Sequence, residues 1–213
     1  EGTPLLPGVM GTEAFAQVAS VLCPAHVVAG VEQVEFLLPF KFFRMQPATL
    51  HLSASGRAAG GGDVLVDVAL RSSVQPRPDH PPQVRLHFRG QVRMSRTALP
   101  RPATAFTPPE GAERTVDRDT IYRVYFHGPA YKVLDEVRLT GDTAVGVMVH
   151  GLPPNARPEG AASIMAPRLI ELCFQAAGIE QVARDGTLGL PTAFAAVRTY
   201  RQPEDADGER LYA

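Results

Sequence analysis

The chain has 213 residues and a formal net charge of -1, with 21 basic residues set against 22 acidic ones. Apolar residues make up 45% and charged residues 20%, enough for a sizeable core, and a balance this even without a Lys/Arg run interleaved with aromatics argues against nucleic acid as a partner. The longest apolar stretches, Val27 to Val31 and Phe36 to Phe40, fall far short of the roughly 20 residues a membrane span needs. Glu1-Gly2-Thr3-Pro4 carries neither the basic start nor the apolar stretch of a signal peptide, so a cytoplasmic protein is expected. Cys23 and Cys173 make no metal spacing and read as reduced core thiols, with no metal implied.

The first element is a helix. After Pro7-Gly8, residues Val9, Met10, Ala14, Phe15, Val18 and Leu22 recur at helical spacing as far as Cys23-Pro24. Period-two alternation follows, first in Leu50, Leu52 and Ala54, then in Val64, Val66, Val68 and Leu70. A third run holds Val84, Leu86, Phe88, Val92 and Met94, with Arg85, His87, Arg89 and Arg93 opposite. These are strands with one wet face. The turn-rich links Gly60-Gly61-Gly62 and residues 75–82 suit antiparallel pairing better than helical crossovers.

Prolines 100, 102, 108 and 109 make residues 99–111 an extended connection. Beyond it the pattern predicts strands over Tyr131 to Leu139 and Ala144 to His150, a Pro/Gly loop over 151–160, a helix from Arg168 to about Ala183, and a strand from Thr192 to Tyr200. Asp63, Asp67, Asp117 and Asp119 read as solvated positions near turns. His26, His51, His80, His87 and His150 read as surface or sheet histidines, because no carboxylate or metal-ligand pattern surrounds them.

Each predicted long helix carries the same device. Glu13-Ala-Phe-Ala-Gln17-Val-Ala19 and Glu171-Leu-Cys-Phe-Gln175-Ala-Ala177 both spell Glu-x-x-x-Gln-x-Ala, which stacks a carboxyl and an amide on one helical face. The bland reading is a solvated or structural pair; the sharper one is a proton donor with its orienting amide.

Motifs around these helices carry a family resemblance. Gly2 through Gln17 resembles the hotdog-helix signature of bacterial 3-hydroxyacyl-ACP dehydratases. It also resembles the end of the His-x-x-x-Gly-x-x-x-x-Pro motif of polyketide synthase dehydratase domains, with Gly2 and Pro7 at the last two fixed positions. His127-Gly128-Pro129-Ala130-Tyr131 resembles their Tyr-Gly-Pro-x-Phe element, and Pro167 through Gln175 their Pro-x-Leu-Leu-Asp-x-x-x-Gln helix. The three motifs occur in the family order and span most of the chain.

The resemblance implies an α+β double hotdog, two antiparallel sheets each wrapped around one long central helix. Residues 1–98 would be the first unit without its N-terminal strand, 99–114 a Pro-rich linker, and 115–213 the second unit without its C-terminal strands. It implies a hydro-lyase that removes water from a 3-hydroxyacyl thioester within a polyketide or polyunsaturated fatty acid synthase. The substrate would ride on the phosphopantetheine arm of acyl carrier protein, so no further cofactor is called for. Partners would be that carrier and neighbouring synthase domains, with a homodimer possible. The catalytic His would stand four residues before Gly2, upstream of residue 1, as for an internal piece of a larger synthase.

By the same resemblance, Glu171 is the acid, where polyketide dehydratases usually have Asp, and burial on its helix would let it keep its proton near neutral pH. Gln175 would orient that carboxyl or the departing hydroxyl. Gly2, Pro7, Gly8, Gly128, Pro129, Tyr131 and Pro167 are the implied substrate-contacting positions, with the free N–H groups after Pro7-Gly8 facing the thioester oxygen and Tyr131 lining the acyl tunnel. Glu13 is expected to be a structural copy bonded within its own unit, and His127 a turn residue in the place of a family tyrosine rather than the base. A non-catalytic double-hotdog scaffold and a hotdog thioesterase or product-template-like domain are the alternatives.

Overall fold

The computed structural model describes residues 2–75, 77, 79–103, 107–108, 111–206 and 208–213. Glu1, two prolines of the 75–82 link (Pro76 and Pro78) and Pro109 of the expected linker lie outside the described residues. The chain forms an α+β structure with antiparallel sheets and few helices, divided into two compact units. One comprises Glu1–Pro100 with Pro191–Tyr200, the other Arg101–Leu190 with Arg201–Ala213.

In the first unit, α1 (Gly8–Leu22) packs on a five-stranded sheet ordered β2-β3-β4-β1-β8. The strands are β1 (Val27–Phe36), β2 (Leu50–Ala58), β3 (Val64–Val74), β4 (Gln83–Ser95) and β8 (Ala193–Val197). Val9, Phe15, Ala16 and Ala19 line the buried stripe of α1, while Val31, Val34, Val66, Leu70, Phe88, Val92 and Met94 supply the buried side of the sheet. Glycines permit the close approach. A Cβ at Gly8 would stand 2.9 Å from the Phe36 ring, and one at Gly11 would overlap the Phe88 ring. On the open face, cross-strand ion pairs Glu35–Arg89 at 2.8 Å and Glu32–Arg93 at 2.7 Å occupy the expected wet side.

Several expectations need correction here. Asp67 does not lie near a turn; it sits mid-strand in β3, paired with Arg57 at 2.7 Å. His87 leaves the wet face of β4. Its neighbours skip a partner (Leu70 opposes Phe88, then Arg71 opposes Leu86), and this bulge turns the imidazole inward, where it is 3% exposed. The strand near Thr192 is β8, and it pairs with the free edge of β1 in the first unit's sheet instead of joining the second. The cysteines are not core thiols: Cys23 is half-buried and Cys173 exposed.

The second unit holds a three-stranded sheet, β5-β6-β7, built from Arg114–Asp117, Leu134–Thr140 and Thr143–Met148. Helix α3 (Pro167–Asp185) packs on β6 and β7, and a shorter helix, α2 (Arg118–Val124), packs beside β5 and β6. Leu211 and Ala213 hydrogen-bond to the outer edge of β7. Val116, Ile121, Tyr125, Leu134, Val137, Leu172 and Ile179 form one apolar core. Helix α3 begins with Pro167 in its first turn and ends at Gly186, whose left-handed φ of 71° suits glycine and closes the last turn. Tyr131 does not open a strand; it ends a 3-10 turn over Pro129–Tyr131, and β6 starts at Leu134. Asp117 is not merely solvated: its carboxylate accepts from the Thr120 amide and caps α2.

Candidate active site

Both Glu-x-x-x-Gln pairs form, and both glutamates are buried. In α1 the Gln17 amide donates to Glu13 Oε1 at 2.8 Å, and Glu13 is 2% exposed. In α3 the Gln175 amide donates to Glu171 Oε1 at 2.9 Å, with Glu171 at 7% and Gln175 at 1%. Burial of the carboxyl therefore does not separate the two copies, but Gln17 is exposed where Gln175 is buried. Their surroundings separate them further.

Gln175 is the hub of a network in the second unit. Its Nε2 also donates to the Tyr131 carbonyl at 2.8 Å, and its Oε1 accepts from the Tyr122 hydroxyl at 2.8 Å. Tyr122 in turn accepts from the Leu134 amide at 2.8 Å. Tyr125 donates to the Gln175 backbone carbonyl at 2.8 Å. Burial pushes the Tyr122 phenol up to about 12 and raises that of Tyr125 further, with the nearby Glu171 carboxylate adding to the Tyr125 shift. Both hydroxyls therefore stay protonated donors. A Cβ at Gly178 would overlap the Tyr125 hydroxyl, so this glycine keeps open the space that Tyr125 fills.

Glu171 also faces His127. Nε2 of that imidazole lies 2.9 Å from Glu171 Oε1, the same oxygen that Gln175 holds. Both of these contacts fall on Oε1 rather than Oε2. His127 is braced by Phe126, stacked at 5.3 Å with an interplanar angle of 8°, and by Tyr125, edge-on at 5.1 Å. His127, expected as a turn position, thus touches the candidate acid.

Of the other expected site residues, Gly128 and Pro129 build the turn that presents the Tyr131 carbonyl, the Tyr131 amide bonding back to Gly128 at 3.0 Å. The Tyr131 hydroxyl accepts from Asn155 at 3.3 Å. Pro167 is buried in the first turn of α3. Gly2, Pro7 and Gly8 belong to the first unit, on the segment leading into α1. There Gly2 takes a left-handed φ of 84°, and the Pro7 carbonyl accepts from Met10 and Gly11. Strap residues Phe40 and Phe42 bond this segment through Leu6 and Pro4. Tyr122 and Tyr125 escaped the sequence reading. The cap pattern Asp117-x-x-Thr120 signals their helix, but nothing local joins them to a glutamine 53 and 50 positions later.

A helix laid on an antiparallel sheet, with a buried carboxyl held by an amide one turn on, defines a hotdog-like domain carrying a candidate acid. The family model described as the polyketide synthase dehydratase N-terminal domain matches residues 95–211, and the chain belongs to the polyketide synthase dehydratase family. Among solved structures, it is similar to a dehydratase domain from the CurF module of the curacin polyketide synthase, with 18% identity, a TM-score of 0.70, and 99% of this chain and 73% of that one covered. An N-terminal dehydratase from the difficidin assembly line gives 15%, 0.67, 99% and 70%. A bifunctional dehydratase-cyclase domain in ambruticin biosynthesis gives 22%, 0.61, 99% and 69%. At these identities the likeness is one of fold. No match was found among curated protein sequences.

Proposed function

We propose that this domain eliminates water from a 3-hydroxyacyl thioester carried on acyl carrier protein, giving the enoyl thioester, within a synthase whose neighbouring domains supply and consume the chain. The reading also takes each unit as one hotdog of a double hotdog, as the family resemblance implies. The observation that carries it is the Glu171 carboxyl, buried on α3 with its Oε1 held by the Gln175 amide.

Elimination needs a base at the α-carbon, an acid at the departing hydroxyl, and a dipole for the enolate-like oxygen. In this reading Glu171 gives its proton to the hydroxyl as the C–O bond breaks, so that water departs rather than hydroxide. Gln175, fixed by Tyr131 and Tyr122, holds the carboxyl in one orientation throughout. The base that takes the α-proton is the family histidine, placed by the motif four residues before Gly2.

The test uses the complete dehydratase domain with 3-hydroxyacyl-ACP, following loss of water by mass. Glu171→Gln is expected to lower turnover by about 10²-fold or more, the range of a positioned general acid. Turnover equal to wild type would sink the acid role.

A further inference from the structure

We infer that His127 is a positioning residue for Glu171: its Nε2–H and the Gln175 amide together occupy Oε1, leaving Oε2 as the oxygen that carries the transferable proton. The inference rests on the dehydratase reading above and adds a residue to it.

The hydrogen-bond pattern fixes the direction of each bond. The Tyr131 carbonyl can only accept, so the Gln175 atom 2.8 Å away is the NH2 group, and its oxygen faces the Tyr122 hydroxyl. The contact from Gln175 to Glu171 is therefore a donated N–H, and it takes one lone pair of Oε1. His127 Nε2 approaches the same oxygen at 2.9 Å. Its Nδ1 is buried and has no partner among the described residues. A ring protonated at Nδ1, whether neutral or cationic, would bury an N–H with nothing to receive it. The Nε2–H tautomer leaves only a bare lone pair there and gives Oε1 its second donor.

The two donors come from different elements. Gln175 lies one turn along α3, whereas His127 comes from the loop between α2 and the Gly128–Tyr131 turn. Two N–H groups converging on one carboxyl oxygen stop the carboxyl from exchanging its oxygens by rotation. Phe126 stacks on the imidazole and, itself 61% exposed, covers it from outside, so the ring cannot swing away without uncovering the pair.

Three variants of the complete domain test this: wild type, His127→Leu and His127→Gln, whose amide nitrogen reaches the Nε2 position. Each is compared by melting temperature, by kcat and KM on 3-hydroxyacyl-ACP, and, for wild type, by 15N resonances of the His127 ring. Expected are a kcat lower by about 10²-fold in His127→Leu with KM within about twofold, recovery of most of that loss in His127→Gln, and a ring protonated at Nε2. If His127→Leu does not fold, His127→Gln decides: near wild-type kcat supports the inference, and a loss as large as that expected for His127→Leu overturns it. Unchanged kcat in a folded His127→Leu, or a ring protonated at Nδ1, also overturns it. Wild type that releases no water defeats the dehydratase reading, and the nitrogen resonances then decide alone whether His127 donates to Glu171.

Discussion

The side chain of Gln175 donates to the backbone carbonyl of Tyr131 at 2.8 Å, which ties α3 to the turn that follows α2. Since Gln175 is almost wholly buried and also serves Glu171 and Tyr122, this one amide joins the helix carrying the candidate acid to two other elements of its unit.

Replacing that amide is therefore costly to the fold as well as to the site. Gln175→Leu removes a donor to Tyr131 and an acceptor for Tyr122 in a buried place, and should cost about 2–4 kcal/mol, because unmatched buried polar groups lose their full solvation. Urea unfolding of the wild type and variant measures this. A midpoint shift within error would show that water replaces the amide without loss.

The two buried tyrosines set an alkaline limit. Tyr122 titrates at about 12, above its ordinary 10.0, and Tyr125 higher still, both chiefly through burial. In that window the folded chain keeps protons that the unfolded chain releases, so their stabilising contribution is complete below pH 10 and is lost as pH rises through the folded values. Circular dichroism from pH 9 to 12.5 should show unfolding that begins above about pH 10. Tyr122→Phe should be less stable near neutrality yet lose less between pH 10 and 12, and an equal loss in both proteins would contradict the assignment.

In the first unit, His87 donates from Nδ1 to the Leu38 carbonyl at 3.0 Å and accepts at Nε2 from the Ser72 hydroxyl at 2.7 Å. Leu38 belongs to the strap whose Phe40 and Phe42 bond the segment ahead of α1. His87→Leu should destabilise by about 1–3 kcal/mol through the orphaned carbonyl and hydroxyl. Combining it with Ser72→Ala should cost less than the sum of the two single changes, because the hydroxyl no longer lacks a partner. Thermal melts of the four proteins give the comparison, and strict additivity would deny the bond.

The alternation of Val64 to Leu70 and of Val84 to Met94 marked β3 and β4, and the apolar spacing after Pro7 and around Glu171 marked α1 and α3, because burial on one face imposes a period directly on sequence. Short elements were harder to read. β5 and α2 have four and seven residues, too few to show a period, and only the Asp117 cap betrays them. The inward turn of His87 depends on a bulge, which is an offset between two strands and leaves no trace in either alone.

The candidate site divides the same way. Sequence by itself determined that Glu171 and Gln175 stack on one face of a helix, as Glu13 and Gln17 do, since a spacing of four is a local property of the α-helix. Tertiary structure alone decided that His127 reaches Glu171, that Gln175 meets Tyr131, Tyr122 and Tyr125 across 44, 53 and 50 positions, and that β8 closes on β1. Those contacts come from packing among elements far apart in the chain, and packing follows the shape of the whole core rather than any local run of residues.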